Sequence, residues 1–418
     1  MLDTESTPKI AKFFGLHNVT DSLRVGAQWL STANNVNITD TGAIEKREGY
    51  ALATAFEIEG YEGDIPVFFI PGTGAFTSIY CTLDAQRGYF VAGNKLYAFT
   101  GVPSLAPVLS SDPALATLTA PSAEMFWAEI NDQVFYNNGT DSGIILPDNT
   151  VLTWAIATPD EPTLSAITGT LAAGTYQVRC TFVTADGRES GASDPVDIAM
   201  NGDQAFHITS IPHQSGSVTR VYISPANSEV YQLAFTTTGS AASWNFSNDA
   251  LGQDLRNEFL QPLPSSTTAI QFFKGRAYVA QYLPSTGQTV VWFSQSLGFH
   301  LFNTSADFFI VPGQVHMLAP TSEALIVGTD TQIFAYSVGL TEIAPYGVVP
   351  GQHWADDETR ILFWSTRGVC GALPFSNLTQ QNVSVAPGIK AGGTIVRTGG
   401  QKRYLVALQQ GGLAFNAF

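Results

Sequence analysis

The densest group of ionisable side chains in the chain is Asp356-Asp357-Glu358, set between Trp354 and Arg360. Two carboxylates at a suitable separation can divide glycoside hydrolysis between them, one protonated as acid and one ionised as base or nucleophile. Adjacent acids ahead of an apolar run also make an ordinary solvated loop, because carboxylates are rarely buried without a partner. Pro71-Gly72-Thr73-Gly74 resembles the start of a dinucleotide loop. Such a loop needs a helix behind it to aim N–H groups at phosphate, and the residues that follow, AFTSIYCTL, read as a strand. The spacing therefore predicts a hairpin turn. The histidines are His17, His207, His213, His300, His316 and His353, and no two stand four apart or beside Cys at zinc-site spacing. No Gly-x-Ser-x-Gly elbow occurs. Trp127, Trp154, Trp244, Trp292, Trp354 and Trp364 could stack on sugars, but as packing between sheets they need no ligand. The residues thus nominate no catalytic, cofactor-binding or metal-binding group, and the expectation is a protein that is not an enzyme and carries no cofactor.

The elements that would position these residues are strands. From Ala269 to Val338, short apolar runs meet Lys274-Gly275, Ser285-Thr286-Gly287 or Gly328-Thr329-Asp330 and then a second run rich in Tyr, Val, Ile or Phe. Two β-prone runs joined by a few turn residues form an antiparallel hairpin, since Gly and Asp tolerate the positive φ of tight reversals. The unit recurs at Gly93-Asn94, at Asn131-Asp132, at Thr366-Arg367-Gly368 and at Gly399-Gly400. Near the start, Val36 and Ile38 alternate with Asn35, Asn37 and Thr39, a half-buried strand turning at Thr41-Gly42. Residues 1–25 are polar and read as an N-terminal arm that lies against something else. A Pro-rich link covers residues 101–121.

Composition agrees with a turn-rich sheet protein: 13% of residues are charged, 44% are hydrophobic, and Gly is abundant, far from the disordered regime. The formal charge of −16 argues against sequence-independent clamping of nucleic acid, which needs Lys and Arg on phosphates. It permits a channel that DNA slides through, repelled at ranges up to the screening length of about 8–10 Å. The odd, widely spaced Cys81, Cys180 and Cys370 imply no disulfide framework and are expected to be buried thiols. There is no basic-then-apolar leader and no apolar run long enough to span a membrane.

Between Thr158 and the resumption of the repeat at Ile270 the pattern changes. Tyr176, Val178, Cys180 and Phe182 alternate with polar residues up to the turn Ala185-Asp186-Gly187-Arg188. Residues 159–262 read as a sandwich-like domain of the immunoglobulin or fibronectin type III class. It separates two parts of a repeat fold, residues 26–158 and 263–418. Small sheets that must hide their faces against one another form a radial propeller or a solenoid, and spacings near 40–50 residues favour propeller blades. The expected fold is all-β: a β-propeller of six or seven antiparallel blades with an inserted sandwich. The WD, kelch and Asp-box signatures are missing.

The serial order of the motifs carries a resemblance. GAQWLSTANNVNITDTGAIEKREGY, FFKGRAYVAQ, VVWFSQSLGFHLFN, DFFIVPGQVHMLAPTSEALIVGTDTQIFAY, GVVPGQHW and ILFWSTRGVCGAL resemble, in order and character, the β-propeller tail-nozzle and packaged-DNA-stabilising proteins of short-tailed bacteriophages. The resemblance implies a structural protein of the virion tail, made in the bacterial host cytoplasm. Copies would form a six-fold ring below the portal and adaptor, around a channel through which DNA leaves without specific binding. It further implies that Asp356, Asp357 and Glu358 face the lumen or its rim and keep DNA from adhering, and that the N-terminal arm and Pro-rich link supply contacts between copies. The alternative class is a carbohydrate-binding or glycan-degrading propeller, which would gather carboxylates and aromatics at one opening.

Overall fold

A computed structural model describes residues 12–410, apart from 22, 35, 40, 48–55, 59–67, 70–75, 85, 101–107, 110–113 and 399–400. Among the described residues the chain is all-β, its one helical turn being the 3-10 segment Asn248–Ala250. The Pro71–Gly74 loop and the Gly399–Gly400 reversal lie outside the described residues. The chain divides into two compact units, one built from Met1–Pro71, Phe99–Ser110 and Val311–Phe418, the other from Gly72–Ala98 and Ser111–Ile310.

In the second unit, strands Phe126–Ile130, Gln133–Asn137, Ser142–Ile145 and Val151–Leu152 pair strictly in chain order as a four-stranded antiparallel meander. Its first reversal is the Asn131-Asp132 pair, with φ of 52° and 61°, the left-handed geometry that matches the twist of flanking strands. Both faces of this sheet are covered. Trp127, Val134, Tyr136 and Ile145 pack against Tyr89, Val91, Leu96 and Ala98 of the preceding sheet. Their alternates Ala128, Phe135 and Ile144 pack against Ile270, Phe272, Val279 and Phe302 of the following meander, Thr268–Phe273 to Gly298–Phe302. A strand buried on both faces needs adjacent apolar residues rather than alternation, as in Phe126-Trp127-Ala128 and Val134-Phe135-Tyr136.

The first unit repeats the arrangement. The meander Val315–Pro320, Leu325–Thr329, Ile333–Tyr336, Leu340–Ala344 precedes a second one, Ala355–Asp356, Ile361–Ser365, Gly368–Ala372, Ser376–Asn377. Met317, Ala319, Ile326 and Ile333 of the former meet Ile361, Phe363, Cys370 and Ala372 of the latter. On the opposite face, Trp364 and Val369 meet Ala391, Val406 and Leu408 of a C-terminal hairpin, Lys390–Thr398 with Gln401–Gln409.

Residues 163–244 form two sheets around a single core. Thr163–Leu171, Gln204–Thr209 and Ala242–Trp244 make one; Val196–Met200, Gly174–Thr184, Ser217–Ile223 and Gln232–Thr237 make the other. Tyr176, Val178, Cys180, Phe206, Ile208, Val221 and Trp244 fill the space between them.

The start of the described chain is tied down. Gly15–Leu16 pairs in parallel with Trp29–Leu30, and Asn18 exchanges side-chain hydrogen bonds with the backbone of Ser384, at 3.0 and 2.7 Å. The described part of the expected arm thus lies on its own chain.

Candidate functional site

The acid turn before strand Ile361–Ser365 is built by its own carboxylates. Asp356 Oδ1 accepts from the N–H of Glu358 at 2.8 Å, while Asp357 Oδ1 accepts from the N–H groups of Thr359 and Arg360, both at 2.8 Å. These Asx-type bonds let Glu358 adopt φ of +73°. Glu358 then points at the C-terminal hairpin, where its two carboxylate oxygens accept from Arg397 Nη2 and, at 2.7 Å, from Lys402 Nζ. Lys402 Nζ also donates to the Asp357 carbonyl at 2.8 Å. Hydrogen bonds from Lys402 and then Arg397, with their charges, hold the Glu358 carboxyl below its ordinary range. For Asp357, partial burial pushes upward and is outweighed by hydrogen bonds from Thr359 and Arg360, so this carboxyl too is held low.

A general acid for glycoside cleavage needs the opposite, a carboxyl kept protonated near neutrality. Asp357 and Glu358 are both held toward the ionised form in this arrangement. Two of the three acids are ion-paired: Asp357 with Arg360 at 3.8 Å, and Glu358 with both Arg397 and Lys402. The Glu358 pairs join residues some forty positions apart.

The tryptophans are committed to packing. Trp127 lies stacked against Tyr80 and Tyr89, at 5.7 and 6.3 Å between ring centroids. Trp154 is fully buried against Phe135 and donates Nε1–H to the Phe299 carbonyl at 2.9 Å. Trp244 closes the sandwich core, and Trp364 donates to the Pro387 carbonyl at 2.9 Å. Trp292 and Trp354 pack at the edges of two further cores.

Of the histidines, His353 is fully buried: its Nε2 donates to the Val349 carbonyl at 2.7 Å, and its Nδ1 accepts the Trp364 N–H at 3.1 Å. Burial lowers its pKa to about 4. His300 Nε2 donates to the Glu189 carbonyl at 3.0 Å, and His207 Nδ1 meets Ser243 Oγ at 2.9 Å. Among the described residues no three His, Cys, Asp or Glu side chains converge as a metal site. Cys180 and Cys370 are buried, but Cys81 is exposed. It ends strand Phe76–Cys81, where the two-residue period turns Ile79 and Cys81 outward, so an apolar run was a poor guide to burial there.

Sequence reasoning missed Glu189 altogether. Its carboxylate accepts from Thr181 Oγ1 at 2.6 Å, Tyr222 Oη at 2.7 Å and Arg220 Nη1 at 2.6 Å. Burial, then Glu189, pushes the Tyr222 phenol up to about 12. Next to it Arg188 donates to the Trp154 carbonyl at 3.3 Å. The turn after Thr184 thereby fastens the sandwich to the neighbouring meanders.

A cleft of about 250 Å³ lies beside Trp364, lined by Val19, Arg367, Thr379, Gln380 and Ser384. The Arg367 guanidinium sits over the Tyr346 ring, 4.7 Å from its centroid.

No family model and no curated protein sequence matches the chain. Solved structures give distant likenesses. Hsv2 of Kluyvelomyces marxianus is 9% identical with a TM-score of 0.26, over 72% of this chain and 76% of that one. PorZ, a surface component of the type-IX secretion system of Porphyromonas gingivalis, is 13% identical with a TM-score of 0.22, over 79% of this chain and 52% of PorZ. A protein from Desulfotomaculum acetoxidans is 9% identical with a TM-score of 0.28, over 82% of this chain and 93% of that one. The TM-scores are too low to carry an argument, and the fold rests on the strand pairing.

Proposed function

We propose that the chain is a structural component of a bacteriophage tail, a β-propeller whose copies form a ring around the DNA exit channel. The observation that carries this is the burial of both faces of successive meanders: Trp127 faces one neighbouring sheet while Phe135 faces the next, and Phe363 and Trp364 do the same in the other unit. Sheets stacked through both faces in chain order are the unit of a propeller, which stacks them radially and leaves only short protected edges. The serial motif order, which resembles the nozzle proteins of short-tailed phages, supplies the biological setting. The aromatic groups that a glycan site would use are spent on packing, and Glu358 of the acid turn is paired with Arg397 and Lys402 of the hairpin.

The mechanism is that of a wall. Net charge of −16 across the chain keeps phosphate from adhering, with no bond made or broken. Short duplex DNA passed over immobilised, assembled protein at low salt should elute unretained. Micromolar retention, released by salt in the manner of phosphate contacts, would rule out the passive wall.

A further inference from the structure

The sequence contains two Asn-Gly pairs, Asn138-Gly139 and Asn201-Gly202, and the fold treats them oppositely. A glycine after asparagine leaves its main-chain nitrogen unshielded and its backbone free to turn, because no side chain stands on its Cα. That nitrogen can then attack the asparagine side-chain carbonyl, unless hydrogen bonds hold the two groups in other directions. At the first pair both groups are held. Asn138 is buried, its Oδ1 accepting from the N–H groups of Thr140 and Asp141 at 2.9 and 2.6 Å. Its Nδ2 donates to the Ala120 carbonyl and the Asp141 carboxylate, both at 3.0 Å. The Gly139 N–H donates to Asn137 Oδ1 at 3.0 Å. At the second pair neither group is held. Asn201 is exposed, in the turn 201–203 between Val196–Met200 and Gln204–Thr209. Its main-chain N–H is anchored on Gln204 Oε1 at 2.8 Å. Among the described residues, its side-chain amide and the Gly202 N–H make no hydrogen bond. Gly202 takes φ of +90°, a conformation that glycine adopts without strain.

We infer that Asn201 is a site of spontaneous deamidation, with water as the only co-reactant, and that Asn138 in the folded chain is not. The Gly202 nitrogen bonds to Cγ of Asn201 and the Cγ–Nδ2 bond breaks. The proton of the Gly202 nitrogen leaves with Nδ2 as ammonia, and a cyclic imide remains. Water then opens the ring at either carbonyl, with no change of oxidation state. Attack at Cγ restores the ordinary main chain with an aspartate side chain. Attack at the main-chain carbonyl leaves the chain routed through Cγ, an iso-aspartyl linkage one carbon longer. Either product places a new carboxylate beside Asp203. The carbonyl of Asp203 accepts from the Gly169 N–H at 3.2 Å, and the turn carries the chain from one sheet of the sandwich to the other. The longer linkage therefore lengthens the crossover that sets this bond.

The test incubates the purified full chain at mildly alkaline pH and follows both pairs in the same samples by peptide mapping with mass spectrometry. Asn201 should convert to a mixture of aspartyl and iso-aspartyl peptides. It should do so roughly tenfold faster than Asn138 or more, since the bonds holding the Asn138 amide and the Gly139 N–H must break first. In denaturant the two pairs should convert at similar rates, which shows that the fold and not the local sequence separates them. An acidic isoform should accumulate on isoelectric focusing of the parent and be absent from Asn201→Gln, whose longer side chain cannot close the same ring. Equal conversion of the two pairs in the folded chain would overturn the inference. So would an intact Asn201 over a period in which the unfolded chain converts at both.

Discussion

The backbone N–H of Trp364 donates to Nδ1 of His353 at 3.1 Å, while Nε2 of the same ring donates to the Val349 carbonyl at 2.7 Å. Only a neutral imidazole with its proton on Nε2 satisfies both. A second proton on Nδ1 would meet another donor in a site closed to water. The ring thus ties the Val349–His353 segment to the strand Ile361–Ser365, which underlies the hairpin.

A pH dependence of stability follows. Burial first, and then the neighbouring His316, lowers the folded pKa of His353 from 6.5 to about 4. Between those values the unfolded chain binds the proton and the folded one does not, so stability falls as pH drops from 6.5 toward 4 and is fully present above 6.5. The difference is on the order of 3 kcal/mol. Unfolding midpoints measured in denaturant from pH 4 to pH 8 should show this slope, and His353→Gln should flatten it. An unchanged slope in the variant would assign the titration elsewhere.

The Glu189 cluster gives a second expectation. Glu189→Ala leaves Arg220, Tyr222 and Thr181 without the carboxylate they share, at a cost of about 2–3 kcal/mol. Hydrogen exchange should rise first in Ser217–Ile223 and Gly174–Thr184, the strands carrying those partners. The Tyr222 phenol should also ionise at lower pH, because one of the groups holding it up to about 12 is gone. Ultraviolet titration reads this directly, and an unmoved phenol would show that burial alone sets its pKa.

The local reversals were legible in the sequence because each is decided by two residues. Asn131-Asp132 and Lys274-Gly275 both take the left-handed φ that their types tolerate. The apolar runs around Phe135 and Phe363 announced strands, and the structure covers these on both faces. What was illegible depends on distance along the chain. Nothing near Glu358 indicates that Arg397 and Lys402 will neutralise it, and a turn signal at Asp186-Gly187 does not show that Glu189 will gather three donors. His353 reads as an ordinary polar residue in GVVPGQHW until the fold encloses it. Cys81 was misjudged because hydrophobicity of a segment does not say which of its alternate residues faces water.

The account depends most on the chain assembling around an axis. Electron microscopy of the purified full-length protein, with class averages viewed along the particle axis, addresses that point directly. The expected result is a population of closed rings of identical subunits with an open centre. A uniform population of single subunits, at concentrations up to those of crowded assembly, would contradict it.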